Sequence, residues 1–191
     1  MNQSNLLDVD WSQIPAPSDD GGAAHLVGVK LPDIALRATD DSVVTLAALA
    51  GRTVVFGYPR TGEPGKIALV DDWDMIPGAR GCTPQTCAFR DLFAELKAAG
   101  AQHVFGLSTQ SNAYQAEMAA RLHLPFPVLS DEDLGLSQAL SLPTLQVAGL
   151  TLIKRIALII DEGIIRHVFY PVFPPDRNAA EVLDWLKANP R

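Results

Sequence analysis

The chain has 191 residues, 48% of them hydrophobic and 19% charged, with a formal net charge of -7 at pH 7. That length suits one domain with a sizeable core, and the acidic balance argues against nucleic acid or an anionic membrane surface as a partner. No run reaches the roughly 18 consecutive apolar residues of a membrane span. Met1 to Asn5 lack the basic start and long apolar stretch of a secretory signal. The two cysteines, Cys82 and Cys87, stand close together, unlike the scattered framework of a small secreted fold. These features place the protein in the cytoplasm, where such a pair is more often redox-active than structural.

Residues 1–30 are polar, with Pro15, Pro17 and the run Asp19-Asp20-Gly21-Gly22; Leu6, Leu7, Trp11 and Ile14 are its only anchors. They read as an N-terminal extension docked through Trp11, with the domain proper spanning 31–191. Ile34 to Ala38 and Val43 to Leu46 are short strand-like runs around Asp40-Asp41, a hairpin. Thr53 to Tyr58 is apolar and β-branched, the profile of a central strand buried on both faces. Residues 60–80 form a long connection holding Pro64-Gly65, the cluster Asp71-Asp72-Trp73-Asp74, and Pro77-Gly78. Its place just before Cys82 makes it a loop that shapes the site.

From Cys82 onward Pro84 suits a first helical turn. Phe89, Leu92, Phe93 and Leu96 then repeat with helical spacing up to Gly100, which predicts one helix. Val104 to Ser108 is a strand, and Asn112 to Leu122 a helix capped by Ser111 or Asn112. A short strand covers Pro127 to Ser130, and Leu134 to Leu142 is helical. Ile156 to Ile160 and Ile164 to Phe169 pair through Asp161-Glu162-Gly163. Ala179, Val182, Leu183 and Leu186 form one face of a last helix capped near Asp176 or Asn178. The order describes an α/β sandwich: a central mixed β-sheet flanked by helices, opened by an N-terminal β-hairpin, with thioredoxin-like topology.

Cys82 falls at the start of its helix, where the partial positive charge favours a thiolate. Five steps along a helix turn the chain by about 500°, so Cys82 and Cys87 diverge by about 140° and rise apart by about 7.5 Å. A disulfide tolerates Cα atoms only to roughly 7 Å, so a bond between them requires the first turns to unwind. Cys82 shares the inward face of Phe89, whereas Cys87 points elsewhere and can swing out. That asymmetry has Cys82 attacking first and Cys87 resolving. Peroxide chemistry suits such a pair, because a sulfenic acid condenses with a neighbouring thiol.

The stretch Gly81-Cys82-Thr83-x-x-x-Cys87-x-Phe89-Arg90-Asp91 resembles the active-site segment of atypical two-cysteine peroxiredoxins of the peroxiredoxin Q type, also called bacterioferritin comigratory proteins. Collinear with it are Leu31 to Leu36, Val54 to Pro59, Gly106 to Thr109, Leu129 to Asp131 and Arg155 to Asp161. The resemblance implies a thioredoxin-like fold and reduction of hydrogen peroxide or organic hydroperoxides at the expense of thioredoxin or a related dithiol, with no metal and no organic cofactor. By position Cys82 is its peroxidatic cysteine and Cys87 its resolving one. Arg155 is the arginine that keeps the thiolate ionised, while Arg90 pairs with Asp91 or a neighbour. The family's threonine three residues before the thiol is Ala79 here. Thr61, just after Pro59, is the substitute hydroxyl, and backbone amides around Arg80 and Gly81 are the alternative.

Two other classes compete. A thiol–disulfide oxidoreductase would more naturally show C-x-x-C, and a redox-sensing module would keep the switch without peroxidase efficiency. Zinc needs two further ligands, and His25, His103, His123 and His167 are scattered singly. Monomer and dimer fit the sequence equally.

Overall fold

Residues 9–191 are described by the computed structural model; Leu6 and Leu7, two of the expected anchors, lie outside the described residues. The strands are β1 (Ala35–Ala38), β2 (Val43–Thr45), β3 (Arg52–Gly57), β4 (His103–Ser108), β5 (Val128–Ser130), β6 (Thr144–Val147), β7 (Leu150–Ile153), β8 (Ile156–Asp161) and β9 (Ile164–Phe169). The helices are α1 (Cys82–Asp91), α2 (Phe93–Ala98), α3 (Asn112–Arg121), α4 (Gly135–Ala139) and α5 (Asn178–Ala188). Seven strands form one mixed sheet in the order β2-β1-β5-β4-β3-β8-β9, and β6 pairs with β7 apart from it.

β3 is the expected central strand. Every residue in it is buried, and it runs parallel to β4 and antiparallel to β8. Alternation sends successive side chains to opposite faces. Val54 and Phe56 join the layer under α1, α2 and α5 with Phe89, Leu96, Val182 and Leu186. Val55 faces the other layer, with Leu36, Leu107, Leu129 and Ile160. Phe56 stacks on Phe89 with ring centroids 4.1 Å apart and planes 4° from parallel, an aromatic pair worth about 1 kcal/mol beyond its burial. That stack seats the thiol helix on the sheet.

Several local expectations are corrected. The helix after Cys82 is two pieces: Leu92 (ψ 10°) leaves helical geometry between α1 and α2, and Gly100 (φ 104°) ends the second. Helix α4 is shorter than expected. Leu134 (φ 60°) precedes it and Ser141 (φ 49°) follows it, while the Asp131 carboxylate accepts from the Leu136 and Ser137 amides at 2.9 and 2.8 Å. The β6–β7 hairpin was not expected. It turns at Ala148 (φ 48°) and Gly149 (φ 78°), the doubly left-handed turn that matches strand twist; an Ala in the first position hides the usual signal. Asp176 and Asn178 do not cap α5. The chain enters that helix through a 3₁₀ turn, Pro175–Arg177, with no side-chain cap, and tertiary contacts take both polar groups.

Packing is continuous across the boundary drawn at residue 31. Ala23, Leu26 and Leu31 lie in the same core layer, and Lys30 bridges to Ile164. Trp11 docks as expected: its indole N–H donates to Asp176 Oδ2 at 3.0 Å, and its ring meets Phe173 edge-on at 6.1 Å.

Arg52 closes the end of β3. It is buried and gives two bonds to the Asp161 carboxylate, at 2.8 and 2.9 Å. Those bonds hold the Asp161 carboxyl below the usual carboxylate range. A depressed native value stabilises the fold above the unfolded value, near 3.9, and that contribution is lost as pH falls through the native one. Asp161→Ala leaves a buried guanidinium unpaired, so denaturant unfolding at pH 7 should show a loss of about 3 kcal/mol. The gap to wild type should narrow as pH drops below about 4; a gap independent of pH would contradict the pairing.

Candidate active site

Cys82 is the first residue of α1, and Gly81 before it is in the left-handed region at φ 106°. A Cβ on Gly81 would lie 2.5 Å from Pro175 and 2.8 Å from the Trp11 ring. Only glycine fits both demands, so the docked extension and the turn before α5 clamp the helix start. No side chain caps this end of α1.

Both thiols are free and buried within one unbroken α-helix, so the divergence derived from helix geometry holds. Cys87 is 5% exposed and does not swing out while α1 is intact. Burial pushes its thiol up, against the opposing pull of Arg90 and Arg121. Cys82, although 3% exposed, borders a cavity of about 680 Å³. As a thiol it donates to the Ala79 carbonyl at 3.5 Å; as a thiolate it can accept from Arg155, whose Nη2 lies 3.4 Å from Sγ.

Arg155 leads into β8 just after the β6–β7 hairpin and is 2% exposed. Its Nη2 also donates to the carbonyls of Gly78, Ala79 and Arg80 at 3.1, 3.3 and 3.0 Å. The segment entering α1 therefore wraps the guanidinium with its backbone. Arg155 Nη1 donates to Gln85 Oε1 at 2.6 Å, and Gln85 Nε2 donates to Asn178 Oδ1 at 2.9 Å. Tyr58, buried on the sheet nearby, is held well above its ordinary range by burial and by the Cys82 charge, so it stays a neutral phenol.

Thr61 lines the same cavity as Cys82. It is fastened there by Gln110, whose Oε1 accepts from Thr61 N at 2.9 Å and Oγ1 at 3.2 Å while Nε2 donates to Thr61 O at 3.1 Å. The Thr61 hydroxyl proton is committed to Gln110, so toward the cavity it offers lone pairs. The 60–80 loop forms much of the wall, with Ile67, Ala68, Leu69 and Trp73 as its apolar part. Arg90 pairs with Asp91 at 2.8 Å and donates to Leu122 O at 3.0 Å, away from Cys82. Among the described residues no group of three or more metal-ligating side chains is found. Sequence reasoning missed Gln85, Asn178 and Gln110. Gln85 alone had a signal, one helical turn beyond Cys82 on the inward face.

A thiol opening a helix on a mixed α/β sheet, with a guanidinium in contact, defines a thiol-based redox protein of thioredoxin-like fold. A match to the Redoxin family covers residues 26–183. Peroxiredoxin Q, chloroplastic, of Oryza sativa subsp. japonica is 31% identical over 163 residues, covering 84% of this chain and 66% of the rice protein. The Sedum lineare peroxiredoxin Q is 30% identical over 159 residues, covering 82% of this chain and 75% of that protein. Among solved structures, the peroxidoxin BcpB of Mycobacterium tuberculosis superposes with TM-score 0.69 at 25% identity, over 86% of this chain and 98% of its own. The bacterioferritin comigratory protein of Xanthomonas campestris gives 0.66 at 26% identity, over 84% and 96%. The chain belongs to the Redoxin family and, within it, to the peroxiredoxins of the Q type.

Because Cys82 borders the cavity and burial holds Cys87 protonated, iodoacetamide at pH 7 should label Cys82 several-fold faster in the native protein. In denaturant the preference should disappear. Peptide mass spectrometry reads both rates, and equal native rates would contradict the asymmetry.

Proposed function

We propose that this chain is a thiol peroxidase that reduces hydrogen peroxide and organic hydroperoxides through Cys82. The observation that carries the reading is the Arg155 guanidinium 3.4 Å from Cys82 Sγ at the edge of a cavity open to a small molecule. The thiolate attacks one peroxide oxygen and the O–O bond breaks. Its electron pair leaves on the second oxygen, which takes a proton to become water or an alcohol. Sulfur is oxidised to the sulfenic acid. Arg155 balances the thiolate before attack and the developing oxyanion during it. Thr61 accepts a hydrogen bond from the peroxide O–H and orients it.

Resolution is by Cys87. Its thiolate attacks the sulfenic sulfur, the S–S bond forms as the S–O bond breaks, and the leaving hydroxide takes up the proton that Cys87 gave up and departs as water, once the first turns of α1 unwind and shorten the separation. Unwinding also lifts the burial that keeps Cys87 protonated. Thioredoxin or a related dithiol then reduces the disulfide by thiol–disulfide exchange. Organic hydroperoxides are included because the apolar loop wall offers more room than hydrogen peroxide needs, and the Xanthomonas relative is described by its alkyl peroxide reduction activity. Cytoplasmic residence is part of the proposal; the plant relatives are named as chloroplastic. Among the described residues no helix is long and apolar enough to cross a membrane.

Stopped-flow mixing of reduced protein with one equivalent of hydrogen peroxide should consume it and leave one Cys82–Cys87 disulfide. Cys82→Ser should abolish turnover, and Cys87→Ser should stop at one sulfenic acid per chain, trapped with dimedone. A wild type no faster than free cysteine would remove the peroxidase reading. Thr61→Val keeps the shape and withdraws the lone pairs, and should slow the peroxide step about tenfold or more, the range for loss of one oriented polar group. An unchanged rate would retire Thr61.

A further inference from the structure

Three cationic side chains, Arg60, Lys66 and Arg80, line the cavity beside Cys82. Two of them are neutralised by carboxylates on the same wall: Lys66 pairs with Glu63, and Arg80 pairs with Asp74. Arg60, half-buried, meets no carboxylate among the described residues. Its guanidinium lies over the Tyr114 ring instead, 5.0 Å from the centroid. That ring is tied to the wall in turn, because the Tyr114 hydroxyl donates to Thr61 O at 3.1 Å. The cavity therefore carries one positive charge that the protein orients and leaves unpaired.

A guanidinium stacked on an aromatic face keeps its in-plane N–H groups free, and their fork matches a carboxylate through two parallel bonds. Stacking also fixes the long side chain in advance, which lowers the ordering cost of binding. Beyond Arg60 the wall turns apolar, with Ile67, Ala68, Leu69 and Trp73. Ile67 is 93% exposed, so this chain leaves that apolar surface uncovered. The volume, about 680 Å³, lies in the range of pockets that enclose a whole organic ligand. The molecule is acidic overall, but its field is screened over about 8 Å at physiological ionic strength. The unpaired cation in the wall thus sets the charge that an incoming ligand meets.

We propose that Arg60 is a specificity-determining residue: it receives the carboxylate of an acidic organic hydroperoxide whose hydrocarbon chain lies along Ile67 to Trp73 and whose peroxide reaches Cys82. This rests on the reading of Cys82 as the peroxide-reducing thiol and adds the class of substrate. A neutral hydroperoxide can use the apolar wall but leaves Arg60 without a partner, and hydrogen peroxide reaches neither. The segment leaving β3 reads both ends of the ligand, Thr61 the peroxide and Arg60 the acid. In the reaction the sulfur bonds to the terminal peroxide oxygen as the O–O bond breaks. The other oxygen departs with the electron pair and takes up a proton, so the product is a hydroxy acid with its carboxylate unchanged. Arg60 touches no reacting atom; it binds substrate and transition state alike, which raises kcat/KM for acids.

Straight-chain ω-hydroperoxy carboxylic acids of increasing length, each compared with its methyl ester, test this, because the ester keeps chain and peroxide and removes the charge. Wild type should consume the acid of at least one length about tenfold faster than its ester, the scale of a hydrogen bond to a charged group. The preference should shrink as salt is added. Arg60→Met keeps an unbranched chain over Tyr114 and removes the cation, so its acid-to-ester ratio should fall to about one. A wild-type ratio near one at every length overturns the proposal, as does a preference that survives in Arg60→Met. If that variant does not fold, Arg60→Gln carries the same ratio. Calorimetric titration with ω-hydroxy acids, which hold no peroxide, needs no turnover. Affinity for the acids that drops with their methyl esters and in the Arg60 variant supports the carboxylate site; affinity no greater than for the esters overturns it. A wild type that reduces no hydroperoxide removes the peroxidase reading, and the titration still decides the role of Arg60.

Discussion

The guanidinium of Arg155 is the constraint around which the active region is arranged. Removing such a charge from water costs several kcal/mol even after relaxation, and acceptors placed in advance meet its two terminal nitrogens. The acceptors come from the carbonyls of Gly78 to Arg80 and from Gln85 and Cys82 on α1. The guanidinium itself is delivered by the end of the β6–β7 hairpin, which Thr109 ties to the sheet through Thr151 O at 2.8 Å. One side chain therefore links a loop, a helix start and the end of a hairpin.

The start of α1 is held from outside the helix rather than by a cap of its own. α1 has no side-chain cap; what stabilises its first turn is contact from outside, by Trp11 and Pro175 against Gly81 and by Arg155 against the preceding carbonyls. Further along, the Phe56–Phe89 stack anchors the helix body to β3. The two anchorages are separate, so the first turns and the helix body are held by different contacts. Burial in the intact helix pushes the Cys87 thiol up.

Much of this was legible residue by residue. The run from Thr53 to Tyr58 named the central strand, Ser111 or Asn112 the cap of α3, of which the structure uses Ser111, and Asp161-Glu162-Gly163 the last hairpin, because each signal is local. The β6–β7 hairpin was not legible, since Ala148 adopts a left-handed conformation that sequence assigns to Asn, Asp or Gly. Asp176 and Asn178 read as helix caps for sound local reasons, but one accepts from Trp11 and the other from Gln85. In both cases a tertiary partner outcompetes the backbone amides of the residue's own helix.

The sequence by itself determined the two thiols' relation: one helix, one thiol at its positive end, and a separation no disulfide can bridge while the turns are intact. It also determined the strand that carries the helix and the family pattern around Cys82. Only the tertiary structure decided what surrounds the thiol. Arg155 and Gln85 are separated by 70 positions, Gln85 and Asn178 by 93, and Trp11 and Asp176 by 165. Spacing along a chain reports angles within one helix or strand. Whether a buried guanidinium meets a carboxylate or an amide depends on which elements the core brings together, and here it brought an amide.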